Sequence, residues 1–294
     1  MNDGSIEVIR RTRAAAERLG RRAYHRVAAA NYEHRLISRR NRTPAGSFRC
    51  LEPLNRHGTD AMLAELDEAC GPDAVVFDVG AHVGIYALAL ASGEPDRRVV
   101  AFEPSLPVVA RLRENARLNS LEDRIDVRPI GVGDDVGYRP FYRASNPELS
   151  AFDRKSATRW DGSVVDVRRV PVRTLDALVF GSEATKRVEP KTANERHESV
   201  DGRIEPRCSL AGPETRPVAG VPVPDALKID VEGAAPEVLR GARDVLERHR
   251  PILFVEIHEE GLERDVPVET KGVLEASGYV VRERPGYWRC EPSS

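Results

Sequence analysis

Aromatic residues are scarce in this chain. They make up 5% of its 294 positions, with two tryptophans, and only two methionines and four cysteines accompany them. Cys50, Cys70, Cys208 and Cys290 are scattered and form no C-x-x-C pair, so neither a zinc site nor a dithiol motif is indicated. Their low density suits a reducing compartment. No apolar run approaches the roughly 20 residues that cross a bilayer, and Arg10, Arg11, Arg13 and Glu17 interrupt any signal-peptide core. A cytoplasmic location is expected. The formal net charge of −2 gives no global attraction to nucleic acid or to membranes. Lysine is rare too: Lys155, Lys186, Lys191, Lys228 and Lys271 are the whole set, and arginine supplies the other positive charges.

That scarcity makes Lys228 conspicuous. It lies in "LKIDVEGAAPEVLRGA" (227–242), where Lys228, Asp230 and Glu232 alternate with Leu227, Ile229 and Val231. Alternate residues of a strand share a face. Three ionisable groups would then point one way from a mostly apolar element, and charges are seldom buried without partners.

The rest of the chain divides by pattern. Residues 1–50 form a basic extension, Ala/Arg-rich up to about residue 45, with Ile6, Ile9, Ala14, Leu19, Tyr24 and Val27 at roughly helical spacing. One or two helices with a basic face are predicted there. Peripheral contact with an anionic membrane surface is one use of such a face, and packing on the main domain or on a partner subunit is the plainer one. From residue 51 to 180 strands alternate with helices. "AVVFDVG" (74–80), "RVVAFEP" (98–104) and "IDVRPIGVGD" (125–134) read as strands, and 60–70, 84–92 and 106–119 as helices. Such alternation implies a parallel sheet covered on both faces. Residues 137–173 read as antiparallel excursions, and Thr174 as the N-cap of a short helix. Residues 181–224 are rich in Pro, Glu, Arg, Ser and Thr and read as a disordered insertion. The sheet resumes over 225–294, with strands at 226–231 and 251–258, helices at 235–248 and 267–277, and a terminal hairpin at 278–290.

"FDVGAHVGIYAL" (77–88) is a strand, a glycine turn and a helix. Gly80 allows a sharp turn and a close ligand, Gly84 lets the helix start near the sheet, and the helix N-terminus offers free N–H groups. Glu103 ends the next strand, where an acid can accept from a ribose diol. In "GVGDD" (131–135), Asp134 follows Gly133 and is placed to accept from an adenine amino group. Asp78, Glu103 and Asp134 thus end three successive strands. So many carboxylates repel a pyrophosphate and suit a sulfonium cation, which favours S-adenosylmethionine over NAD. Asp230, Glu256 and His258 would end the neighbouring strands, and each is chemically able to take a proton from an acceptor hydroxyl.

In order and spacing, "DVGAHVG", "FEPSLPVVARLRENARLN", "GVGDD", "VRTLDAL", "LKIDVEGAAPEVLRGA" and "PILFVEIH" resemble the FkbM-type methyltransferases. The resemblance implies an α/β fold with a doubly wound, mostly parallel seven-stranded sheet, here carrying an N-terminal helical extension. It implies S-adenosylmethionine as cofactor and O-methylation of a sugar, glycan or small-molecule hydroxyl. It places Asp78, Gly80 and Gly84 at the methionine part, Glu103 at the ribose and Gly133–Asp134 at the adenine. Lys228, Asp230 and Glu232 fall on the acceptor side, with Glu256 and His258 beside them. His82 stands where that family usually has Asn, and Ala235 where it usually has Glu, a role Glu237 is near enough to take.

Two other readings remain at this stage: a binding module of the same fold without activity, and an NAD-dependent oxidoreductase, for which the GxGxxG turn is missing. RNA methylation is favoured only by the basic N-terminus, and no nucleic-acid partner is expected. Asp134, Asp135, Asp230 and Glu232 can ligate Mg²⁺, but Lys228 beside them can neutralise the same acids. No required metal is expected. Oligomeric state is left open.

Overall fold

The computed structural model describes residues 20, 23–55, 57–159, 162–181, 220–258 and 264–293. Residues 1–19, 21 and 22 of the basic N-terminal segment and 182–219 of the insertion lie outside them. The first element described is a helix over residues 23–34 (α1). It is followed by a hairpin of β1 (Arg39–Thr43) and β2 (Gly46–Cys50). The sequence reading ran helices to about residue 45 and missed this hairpin. Its turn packs against α3 (Ile85–Gly93) so closely that a Cβ on Gly46 would come within 2.5 Å of the Ala89 carbonyl oxygen. Next comes α2 (Ala61–Ala69), whose N-cap Asp60 accepts from Leu63 N.

The central sheet has seven strands. It contains β3 (Val75–Val79), β4 (Arg98–Phe102), β5 (Ile125–Arg128), β9 (Ala226–Ile229), β10 (Ile252–Glu256), β11 (Tyr279–Arg284) and β12 (Tyr287–Pro292). Their order is β11-β12-β10-β9-β3-β4-β5, and all neighbours are parallel except the pairs made by β12. The predicted placement of 226–231 beside the first strand, with 251–257 next along, is the one observed.

The inner strands read as nearly continuous apolar runs because both faces are covered. Alternate residues separate the two cores. Val76, Val99, Ala101 and Phe254 pack with α2, α3 and α4 (Leu106–Leu118). Phe77, Val79, Val100, Leu227 and Ile229 pack on the other face. There they meet α6 (Leu175–Phe180), α7 (Ala235–Arg240), α8 (Arg243–His249) and α9 (Val266–Ala276). Thr174 caps α6 as expected, accepting from Ala177 N at 3.0 Å.

Three boundaries differ from the sequence reading. The strand expected over 125–134 ends at Arg128. Pro129 cannot donate to a ladder, and the chain passes into β6 (Gly131–Val132) of a second sheet, with β7 (Gly137–Ala144) and β8 (Val164–Arg173) in order β6-β8-β7. The single helix expected over 235–248 is two, broken at Gly241, where a Cβ would overlap the Gly133 carbonyl. The strand carrying Lys228 stops at Ile229, and Glu232 takes φ 46° in the turn beyond it. The alternation read from the sequence therefore holds for Lys228 and Asp230 and fails at Glu232. Between β7 and β8 lie a 3-10 turn (Pro147–Leu149) and the short α5 (Arg154–Ala157). No helix among the described residues is long and apolar enough to cross a membrane.

Candidate active site

The carboxyl ends of β3, β4, β9 and β10 open into one crevice of about 660 Å³, as expected for ligand sites of open α/β sheets. Gly80, His82, Glu103, Lys228, Asp230, Glu232, Glu256 and His258 line it. Eight of the residues proposed from sequence thus come together.

Asp78 and Lys228 are direct neighbours across β3 and β9. Asp78 is 0% exposed and Lys228 3%. Lys228 Nζ lies 3.1 Å from Asp78 Oδ1, 3.3 Å from Asp230 Oδ2 and 3.2 Å from the Gly80 carbonyl oxygen. The approach to Asp78 is too bent for a hydrogen bond, so charge alone holds that carboxylate. Burial works against the ammonium, but Asp78, Asp230 and Glu256 raise its pKa well above the lysine range. Asp78 therefore sits beneath the crevice, and Lys228 carries its charge to the floor.

Asp230 is the hub of that floor. His258 Nε2 lies 3.0 Å from its Oδ1, on the side away from Lys228. Burial acts upward on its pKa, and Lys228 and His258 together hold it below the carboxylate range. The Glu256 carboxyl is pushed up to about 7, by burial first and then by the charge of Asp230. Glu232 Oε2 is 3.7 Å from His258 Nδ1 and is ion-paired with the buried Arg159. Asp230, Glu256 and His258 can each bring one ligand atom to a common centre, all within 4.8 Å of one another.

On the other wall, Glu103 accepts from His82 N at 3.1 Å and from Ser105 N at 2.7 Å. Burial still raises its pKa to about 7. Its stability contribution is then fully present below 4.5 and is lost as pH rises through 7. Relative to Glu103→Gln, the unliganded wild type is expected to lose on the order of 2–3 kcal/mol between pH 4.5 and 7.5. Urea unfolding of both proteins at the two pH values checks this, and parallel profiles would refute it. His82, at φ 49°, keeps a buried Nε2 with no hydrogen-bond partner, and burial lowers its pKa. Gly84, at φ 86°, opens α3 without any side-chain cap and packs on Leu112. The first-turn N–H groups of α3 are thus left for a ligand.

Three expected residues are placed elsewhere. Asp134 does not line the crevice: Arg139 holds it at 2.8 Å and Arg240 at 3.2 Å. Gly133 donates to the Arg173 carbonyl, and its own carbonyl packs on Gly241. The adenine role read for this pair from "GVGDD" is corrected accordingly. Glu237 is committed to Arg264, at 2.6 and 2.8 Å. The sequence reading missed Arg159, which carries no local signal. It also missed Tyr86, whose hydroxyl donates to Asp60 and whose ring lies 5.0 Å from Lys228 Nζ. Leu149, Ser150, Ala151 and Phe152 also line the crevice, while Asp153 caps α5.

This sheet order, with one antiparallel strand next to the edge and a glycine turn after β3, defines the Rossmann-like fold of class I methyltransferases. A family model described as "Methyltransferase FkbM domain" matches residues 78–189 and 196–281, more than half of the chain. The chain belongs to that family, as its motifs led one to expect. Among curated relatives, it is 25% identical over 214 residues to the methyltransferase sdnD of Sordaria araneosa, covering 72% of this chain and 76% of that one. Over 63 residues it is 48% identical to the AMB antimetabolite synthetase AmbE of Pseudomonas aeruginosa (21% of this chain, 3% of that one). It is 40% identical over 68 residues to the 31-O-demethyl-FK506 methyltransferase FkbM of Streptomyces tacrolimicus (23% of this chain, 25% of that one). The chain thus matches only a small part of the last two proteins.

Proposed function

We propose that this protein is an S-adenosylmethionine-dependent O-methyltransferase acting on a hydroxyl of a sugar, glycan or small molecule. The observation that carries the reading is the crevice itself. It sets the Glu103 carboxyl, an uncapped helix and a glycine turn on one side, and Asp230, Glu256 and His258 on the other. The fit to the cofactor rests on groups left open: the α3 amides for its carboxylate, Glu103 for the ribose diol and the unpartnered His82 Nε2. The carboxylate-rich floor favours a cationic sulfonium.

The cofactor supplies an electrophilic methyl group. The chain's own residues orient the acceptor and deal with its proton. Asp230, Glu256 and His258 stand where a hydroxyl entering past Leu149–Phe152 would meet proton-accepting groups. The name of the Streptomyces relative, a 31-O-demethyl-FK506 methyltransferase, supports oxygen as the methylated atom.

Calorimetric titration with S-adenosylmethionine and with NAD tests the reading. Binding is expected for the first alone. Glu103→Ala should weaken it about tenfold, or roughly 1.4 kcal/mol. Wild-type affinity should rise as pH passes through 7, where Glu103 ionises and becomes the stronger acceptor. If neither cofactor binds, the inactive-module reading replaces this one.

A further inference from the structure

We propose that Asp230, Glu256 and His258 bind a divalent cation of the manganese or magnesium type at the acceptor end of the crevice. The site stands on its own geometry, while its use in methyl transfer rests on the function proposed above.

The first observation is placement. The three ligand atoms lie within 4.8 Å of one another at the ends of two adjacent strands. Asp230 Oδ1 and His258 Nε2 are 3.0 Å apart. Two cis ligands held at about 2.1 Å by an octahedral cation are separated by about 3.0 Å.

The second observation is an acid without a donor. No N–H of a described residue is hydrogen-bonded to the Glu256 carboxylate and no described cation is ion-paired with it; its neighbour is the Asp230 carboxylate, close enough for the two to share a proton where no cation binds. Lys228 does not fill that role. Its ammonium is drawn to Asp78, the Gly80 carbonyl and the far oxygen of Asp230. The sequence argument against a metal assumed that Lys228 neutralises the whole group. In the structure the carboxylates of Asp78, Asp230 and Glu256 share one ammonium, so with all three ionised two negative charges are left, as many as a divalent cation carries. Glu232 is matched separately by Arg159. One imidazole with two carboxylates suits Mn²⁺ or a similar ion better than the all-oxygen shell of Ca²⁺.

Three protein ligands leave octahedral positions open. A cation there takes the acceptor hydroxyl oxygen and lowers its pKa. With their lone pairs on the cation these three groups orient the acceptor rather than take its proton: the O–H bond breaks and the proton leaves to solvent at the mouth of the crevice. The oxygen's electron pair forms the new C–O bond as the S–CH₃ bond breaks, and that pair stays on sulfur.

The test is a Mn²⁺ titration of the chelator-treated full chain, followed by electron paramagnetic resonance. One bound Mn²⁺ per chain is expected, weakened at least tenfold by Glu256→Gln and by His258→Ala. In the unsubstituted protein, bound Mn²⁺ should broaden the ring signals of His258, which locates the ion even if a variant fails to fold. S-adenosylhomocysteine binding, measured calorimetrically on the same samples, reports on the cofactor reading separately. No binding up to millimolar Mn²⁺ would overturn the proposal. So would binding that both substitutions leave unchanged, or that leaves the His258 signals sharp.

Discussion

Lys228→Met is expected to lower folding stability by about 3–5 kcal/mol, because it leaves a buried carboxylate without its counter-charge. Asp78 has no route to solvent and no hydrogen bond of good geometry, and Lys228 is the cation beside it. In a domain of this size the loss corresponds to a fall in Tm of about 10 °C. Thermal unfolding of the single variant and of Asp78→Asn/Lys228→Met makes the check. The double variant removes both charges and should recover most of the loss. A single variant within 1 kcal/mol of wild type would mean that the pair contributes little.

Gly80→Ala is expected to abolish cofactor binding and to destabilise the fold by more than about 3 kcal/mol. Two effects add. The residue sits at φ 81°, where an L side chain is strained. A Cβ there would also overlap the Asp230 carbonyl oxygen, a backbone atom that has no rotamer by which to retreat. The displaced backbone would be the segment carrying Asp230 and Glu232, so the damage reaches the acceptor side as well. Gly137→Ala is the control: its φ is not positive and nothing stands within 4 Å of a new Cβ. It should change stability by no more than about 0.5 kcal/mol. Equal behaviour of the two variants in urea unfolding and in S-adenosylmethionine titration would refute the steric argument.

Much of this was legible in the sequence because the inner strands are short, apolar and punctuated. "VVFDV" and "RVVAF" admit few other assignments, and the alternation that follows them implies a parallel order. Charged residues inside such runs, Lys228 and Asp78 above all, mark positions where a pair or a ligand is needed. The misses have local causes. The β1–β2 hairpin hides in an arginine-rich stretch because its support comes from α3 and from Asn115 on α4 and its C-cap Asn119, the two asparagines more than 60 residues away in sequence. Asp134 reads as a crevice residue by position, but Pro129 ends the strand before it and hands it to Arg139 and Arg240. Arg159 is invisible to periodicity, since its partner Glu232 lies 73 residues further on.

One short contact has a consequence for how the gene can vary. Val221 N donates to the Leu178 carbonyl at 3.1 Å, so the chain that leaves α6 is brought back to its starting point before β9 begins. The intervening length is tied off at its base. Each doubling of a loop closed in this way costs only about 0.6 kcal/mol of closure entropy. Sequence can therefore be gained, lost or exchanged between Gly181 and Gly220 while the strand order and the crevice stay as they are. This makes the neck a port through which related chains can acquire separate recognition elements around an unchanged catalytic frame.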